Sequence, residues 1–260
     1  MGPVDGALIE SLAFPAVAVG FAVITRLSAL FFFLPGLAER TTPVRIKLAA
    51  LLAVSLMVIP AVGTLPPQAL TVSAAAMMIA AEAIAGALIG FSIRVSIFIL
   101  QTAGSIASQS FSLAQLFSAG LDSQPEAPMS TLLMIAGVVL FLASGLHIEM
   151  INALIASYSI MPLGAFPGAG ESGAWAAERA AYSFAAALSL AMPFVALGFI
   201  YNLAIGAANR AMPQLMVAFV GAPAITLAGL VLLALTAPAM LNAWIGIVNR
   251  IVFSLLGTAP

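Results

Sequence analysis

From Leu70 to Leu100 the chain carries only two ionisable side chains, Glu82 and Arg94, in a run dominated by Ala, Ile, Val, Leu, Met and Phe. A helix needs about 20 such residues to cross the hydrocarbon core of a bilayer, and this run exceeds that length. The rest of the chain is similar: 63% of its 260 residues are hydrophobic and 7% are charged, whereas soluble domains carry about 25% charged residues. The polar surface needed to cover even one domain in water is missing, so lipid or partner protein must face the remainder. The sequence therefore predicts an all-α integral membrane protein.

Composition also excludes several activities. The net charge is −1 and the eight basic residues are scattered rather than clustered, which leaves no electrostatic footprint for nucleic acid. With no cysteine and one histidine, disulfides, thiolate chemistry and Cys/His metal sites are ruled out. Asp5 and Glu10 precede the first arginine, Arg26, so the apolar start is expected to be retained rather than cleaved as a signal peptide. Gly6 stands where a myristoylation signal requires Ser or Thr.

Bounded by Pro, Gly and charge, six or seven apolar segments emerge. The first runs from about Leu12 to Leu34. The second covers Ile46 to Val62 and ends at Pro60, Gly63 and the Pro66-Pro67 pair. The third is the run from Leu70 to Leu100. The fourth, Met129 to Ile160, stops at Met161-Pro162-Leu163-Gly164 and is followed by a loop rich in glycine, with Pro167, Gly168, Gly170 and Gly173. The fifth runs from Ala180 to Ala208, and the last apolar region, Leu215 to Leu256, is longer than one span needs. Pro223 and Pro238 lie inside it, and an interior proline removes a backbone hydrogen bond and crowds the preceding turn. A kinked helix or a hairpin of two shorter helices is expected there. Pro15 and Pro193 interrupt two other segments in the same way. In lipid, carbonyls freed at such breaks need neighbouring protein, which points to a chain embedded among partners.

Short cytoplasmic loops collect Lys and Arg. Arg40, Arg45 and Lys47 therefore mark the first loop as cytoplasmic, with Asp5, Glu10 and the glycine-rich loop carrying Glu171 outside. Arg210 then falls on the cytoplasmic side, and Arg250 joins it only if the last region is a hairpin.

An ionisable residue within a membrane segment costs about 2.5–3.5 kcal/mol on insertion scales, so each one needs a partner or a purpose. Arg26, Glu82, Arg94, His147 and Glu149 are the candidates. Glu82, Gly86, Gly90 and Arg94 recur every four residues, and glycines at that spacing let another helix backbone approach closely. Each four-residue step turns the helix by about 40° and twelve residues rise about 18 Å. Glu82 thus cannot reach Arg94 along one straight helix, and each needs a partner elsewhere. A proton or ion path through Glu82 would bring several convergent polar groups, and only scattered ones are visible, which favours a role in helix packing. His147 and Glu149 are two residues apart and face nearly opposite ways on a helix, so a metal site between them is not expected. The dispersed serines and the lack of an acidic partner for His147 leave no catalytic triad.

The order and spacing of a further set of residues carry a family resemblance over nearly the whole chain. They are Arg26 followed by Pro35, Pro43 and Arg45; Glu82 with Gly86, Gly90 and Phe91; and Gln101, Ala103, Gly104 and Gln109. Gly145-Leu146-His147 and Ser157-Tyr158 lead into Pro162-Leu163-Gly164. The most specific piece is Asn202, Gly206 and Arg210-Ala211-Met212-Pro213-Gln214-Leu215 with Gly221 and Pro223. In this pattern the chain resembles the FliR family, core subunits of the flagellar type III protein export gate, and their counterparts in virulence secretion systems. Ser108 and Met216 depart from the pattern.

The resemblance implies a single export-gate domain over residues 1–260, built from about six long kinked helices forming helical hairpins, with no enzymatic activity and no cofactor. It implies a place in the bacterial inner membrane, at the flagellar basal body. There FliP-type and FliQ-type subunits would join this chain in a channel for unfolded flagellar proteins, alongside FlhB-type and FlhA-type export components. It assigns Glu82, Gly86, Gly90, Arg94, Arg210, Pro213 and Gln214 to helix packing and assembly. It also places the stretch Gln109 to Pro125 at the plug of the closed channel, with Gln109, Phe111, Leu113, Leu116, Phe117 and Leu121 as its residues. Leu113, Leu116, Phe117 and Leu121 recur at helical spacing among Ser110, Ser112, Gln115, Ser118 and Asp122. Bulky apolar side chains can dehydrate a constriction while the absence of strong charge lets a polypeptide pass. The competing reading is a multi-pass secondary transporter with broken helices and Glu82 at its midplane. It requires an inverted repeat, and Gly86-x-x-x-Gly90 has no matching slot in the second half.

Overall fold

The computed structural model describes residues 3–37, 42–62, 72–112, 128–211 and 217–255. Among them there are seven α-helices and no strand: α1 (Pro3–Phe33), α2 (Val44–Val62), α3 (Val72–Ser112), α4 (Pro128–Ala143), α5 (Leu146–Ile160), α6 (Ala169–Ala211) and α7 (Val217–Leu255). Four of them, α2, α3, α6 and α7, are long and apolar enough to cross a membrane, and α4 with α5 makes a fifth if taken as one interrupted span.

The breaks do not fall where proline suggests. Pro193 lies inside α6, and Pro223 and Pro238 lie inside α7, each a continuous helix. The last region is neither a hairpin nor two helices, so the condition for placing Arg250 beside Arg210 is not met. A proline forfeits one N–H, whereas ending a helix orphans four N–H and four C=O groups. Where no water can satisfy those groups, carrying the helix through the proline is the smaller loss. The fourth segment is the one that divides. Gly145 has φ +72°, a left-handed conformation that only glycine adopts readily. The Ser144 amide still bonds back to the Leu140 carbonyl at 2.9 Å, while the Gly145 carbonyl accepts from the Ile148 amide at 2.9 Å and opens α5. This single residue divides the expected fourth segment into two helices, α4 and α5. The glycine-rich stretch also differs from its expectation, because α6 begins at Ala169 and takes in Gly170 and Gly173. Its first turn is closed by the Ser172 amide on the Gly168 carbonyl at 2.9 Å, and Glu171 there complements the positive end of the helix dipole.

The chain forms two compact units. Unit 1 takes the described residues of Met1–Arg94, Gly145–Arg179 and Asn249–Pro260. Within it α1 and α2 pack as an antiparallel hairpin, with Gly20 facing Ile59 near one end and Phe31 and Phe32 sharing a groove with Val44 and Leu48 near the other. Along α1 the buried residues are Val19, Ala22, Val23, Arg26, Leu27 and Leu30, a stripe at three- and four-residue spacing that defines one inward face.

Unit 2 takes the described residues of Val95–Ser144 and Ala180–Val248. Its core includes Leu100, Phe141, Phe194 and Trp244, each at most 1% exposed. The Trp244 indole N–H donates to the Ser96 carbonyl at 2.7 Å, which satisfies the one polar atom of that buried ring. Small residues let its helices touch: Gly198 lies against the Ser110 carbonyl and Gly104 against the backbone of Ser130. The Ser130 hydroxyl in turn donates to the Gln101 carbonyl at 2.9 Å.

Candidate functional site: a buried charge cluster

Two of the isolated charges meet inside unit 1. Arg26 of α1 and Glu82 of α3 have fully buried side chains, and the pair is bidentate: Arg26 Nε donates to Glu82 Oε2 at 2.7 Å and Nη2 to Oε1 at 3.1 Å. The guanidinium has further acceptors. Its Nη1 donates to the Ser157 hydroxyl at 3.0 Å and Nη2 also reaches the Met161 carbonyl at 3.0 Å. Its face stacks on the Tyr158 ring, with Cζ 3.8 Å from the centroid. Glu82 Oε1 additionally accepts from the Gly164 amide at 2.9 Å. The cluster therefore joins α1, α3, the end of α5 and the turn that follows it.

Local sequence explains each position. Ser157 donates its own proton to the Leu154 carbonyl at 2.6 Å, which leaves its oxygen lone pairs for the arginine. The Met161 amide bonds back to the Ser157 carbonyl at 2.8 Å, so the chain leaves α5 with the Met161 carbonyl turned to the cluster. Gly164 has φ +75°; that left-handed turn aims its N–H at the carboxylate, and a side chain there would also press on Met78, 3.3 Å from the Cβ position.

The two glycines of the four-residue ladder set how closely α1 and α3 approach. A Cβ on Gly86 would strike the Arg26 carbonyl oxygen and come within 2.9 Å of its carbon. A Cβ on Gly90 would lie 2.9 Å from Phe33 Cβ and 3.0 Å from the Leu30 carbonyl. Residues 82, 86 and 90 on α3 thus run alongside residues 26, 30 and 33 on α1, in the same direction. Small residues allow this approach in a setting where burying apolar surface gives no advantage over lipid. A desolvated ion pair is maintained only when the geometry is good and the remaining donors and acceptors are largely satisfied; here Arg26 makes four donations, one short of its five N–H groups, and Glu82 three acceptances.

The other expected residues are placed elsewhere. Arg94 is half-buried and has an interaction of its own. Arg210 is exposed in the last turn of α6, and Pro213 and Gln214 lie outside the described residues. Of the residues expected at a plug, Gln109 is exposed at the end of α3, whereas Phe111 is 8% exposed. Phe111 packs edge-on against Phe194 at 6.2 Å and lies over Gly229 within unit 2. Leu113, Leu116, Phe117 and Leu121 lie outside the described residues. Sequence reasoning named Arg26 and Glu82 separately and did not join them. The usable signal was their being opposite charges in separate apolar segments, with Arg26 the one charge in its own and Glu82 sharing its run only with Arg94, which it cannot reach along the helix. Among the described residues no group of three or more His, Asp or Glu side chains is arranged to hold a metal ion.

The sequence has relatives among known proteins. The family model described as "Bacterial export proteins, family 1" matches residues 17–251. The flagellar biosynthetic protein FliR of Caulobacter vibrioides is 31% identical over 231 residues, 88% of this chain and 92% of that protein. FliR of Escherichia coli is 28% identical over 84% of each chain. The Yop proteins translocation protein T of Yersinia pestis is 29% identical over 55% of this chain and 56% of its own. Its helices are apolar enough for a membrane, its match is nearly end to end, and the chain belongs to the bacterial export proteins of family 1, the type III export family that includes FliR.

Proposed function

We propose that this chain is a non-enzymatic core subunit of the flagellar type III export gate. In this reading it acts as one export-gate module of the bacterial inner membrane, at the flagellar basal body. FliP-type and FliQ-type subunits form with it the channel for unfolded flagellar proteins, and FlhB-type and FlhA-type components work beside that channel. Beyond family membership, one observation supports the reading: the long helices are thinly covered by their own chain. The buried share of their most apolar stretches is 17% in α2, 28% in α6 and 22% in α7, against 56% in α3. Leu56, Phe199 and Leu235 are 72%, 64% and 73% exposed. Faces of this extent are interaction surfaces, available to neighbouring subunits as well as to lipid.

A transporter with Glu82 as its ion site is not supported, because that carboxylate is held by a bidentate arginine and a backbone amide. Co-expression with the FliP-type and FliQ-type proteins of the same genome tests the proposal. The three are expected to leave the membrane in mild detergent as one complex. A FliP–FliQ complex that forms fully without this chain, beside a stable monomer of it, would overturn the reading.

In the same reading, the stretch from Gln109 to Pro125 serves as the plug of the closed channel. Deleting residues 113–121 is expected to leave the complex assembled but permeable to small ions, measured as flux in vesicles. A deletion complex as tight as the parent would show that another segment closes the channel.

A further inference from the structure

Unit 1 contains a half-open cavity of about 340 Å³, the size of a small-ligand site. Its lining combines the apolar side chains of Leu88, Ile89 and Ile160 with Glu171, Trp175 and Arg179 from the start of α6 and Ser254 from the last turn of α7. Arg179 donates to the Ser254 hydroxyl at 3.1 Å, and its guanidinium lies 5.6 Å from the centre of the Trp175 ring. Both partners are neutral, so neither offsets its charge. Ser157 also reaches the wall, but its hydroxyl is committed to Arg26 and Leu154 and offers no competing contact.

Trp and Arg together at the ends of apolar helices mark the level where lipid headgroups meet acyl chains. The cavity joins the same two chemistries, apolar side chains and a cation beside a tryptophan. The geometry points to a bound phospholipid, with one acyl chain against Leu88, Ile89 and Ile160 and its phosphate on Arg179. The guanidinium fork suits phosphate oxygens. Glu171, in the same lining, repels a headgroup of further negative charge, so the occupant is a zwitterionic phospholipid. The assignment is independent of the export role, since it concerns only the surface of unit 1.

The test uses the full chain, purified in mild detergent from membranes containing both phosphatidylethanolamine and phosphatidylglycerol, with the subunits that accompany it. Extracted lipid is quantified by mass spectrometry for the parent, for Arg179→Gln and for Ser172→Trp, which fills the mouth without touching the charge. The parent is expected to retain phosphatidylethanolamine in preference to phosphatidylglycerol, and both variants to lose it at least tenfold while eluting at the parent's size. Adding phosphatidylethanolamine should raise the thermal midpoint of the parent and leave Arg179→Gln unchanged. Equal retention in parent and variants, equal retention of the two lipids, no lipid in the parent, or equal protection by inorganic phosphate would each overturn the assignment.

Discussion

Replacing Arg26 with alanine is expected to cost about 3–5 kcal/mol, the usual loss when one member of a buried ion pair is removed and the other stays charged and unpaired. The loss is concentrated because Arg26 makes four hydrogen bonds to three different segments. A change of even about 1–2 kcal/mol alters cellular abundance several-fold, so the variant should be nearly absent from the membrane and the cells non-motile. Arg26→Lys should fall between, since an ammonium keeps the charge but not the fork that spans both oxygens of Glu82. The double variant Arg26→Met/Glu82→Leu separates charge from packing. It removes both charges and should regain part of the loss. It cannot regain all of it, because the Met161 carbonyl and the Gly164 N–H would be left without partners at about 1–3 kcal/mol each. Immunoblots of membranes and thermal unfolding in detergent measure the series. Parent-level abundance of Arg26→Ala would show that the pair contributes little to the fold.

The second large effect is expected at Gly86. Inserting extra bulk into a packed contact costs about 1–3 kcal/mol, occasionally more, and Gly86→Ala belongs at the upper end because the obstructing atom is the Arg26 backbone carbonyl. A side chain can change rotamer to make room, but a helix backbone can only withdraw. Moving α1 away from α3 stretches the Arg26–Glu82 pair one turn below, so the two losses should couple rather than add. Gly86→Leu should abolish accumulation. Gly20→Ala is the control in the same unit: its Cβ would meet only the Ile59 methyl at 3.8 Å, an ordinary contact, and near-parent stability is expected. If Gly86→Ala and Gly20→Ala unfold at the same temperature, the close approach of α1 and α3 is not what Gly86 provides.

What the sequence determined by itself follows from counting over short distances. Apolar runs of spanning length with almost no charge require helices in lipid, because only a helix satisfies its own backbone there without closing into a barrel. The four-residue spacing of Glu82, Gly86 and Gly90 was enough to mark a face of α3 that another backbone can approach. Which backbone approaches was beyond it. Arg26 and Glu82 are 56 residues apart in sequence, and no local periodicity links them. Their pairing depends on α1 and α3 packing side by side with the end of α5 against both. The helix boundaries divide in the same way. Pro193, Pro223 and Pro238 carry a real local cost, which the wider cost of opening a helix in an apolar setting outweighs. Gly145 was quoted only as part of a family pattern, yet it ends one helix and starts another, through a φ of +72° that only glycine adopts readily. Local chemistry set which residues could bend or meet, and tertiary packing chose among them, since the energy of a buried charge or a close backbone contact exists only once its distant partner is in place.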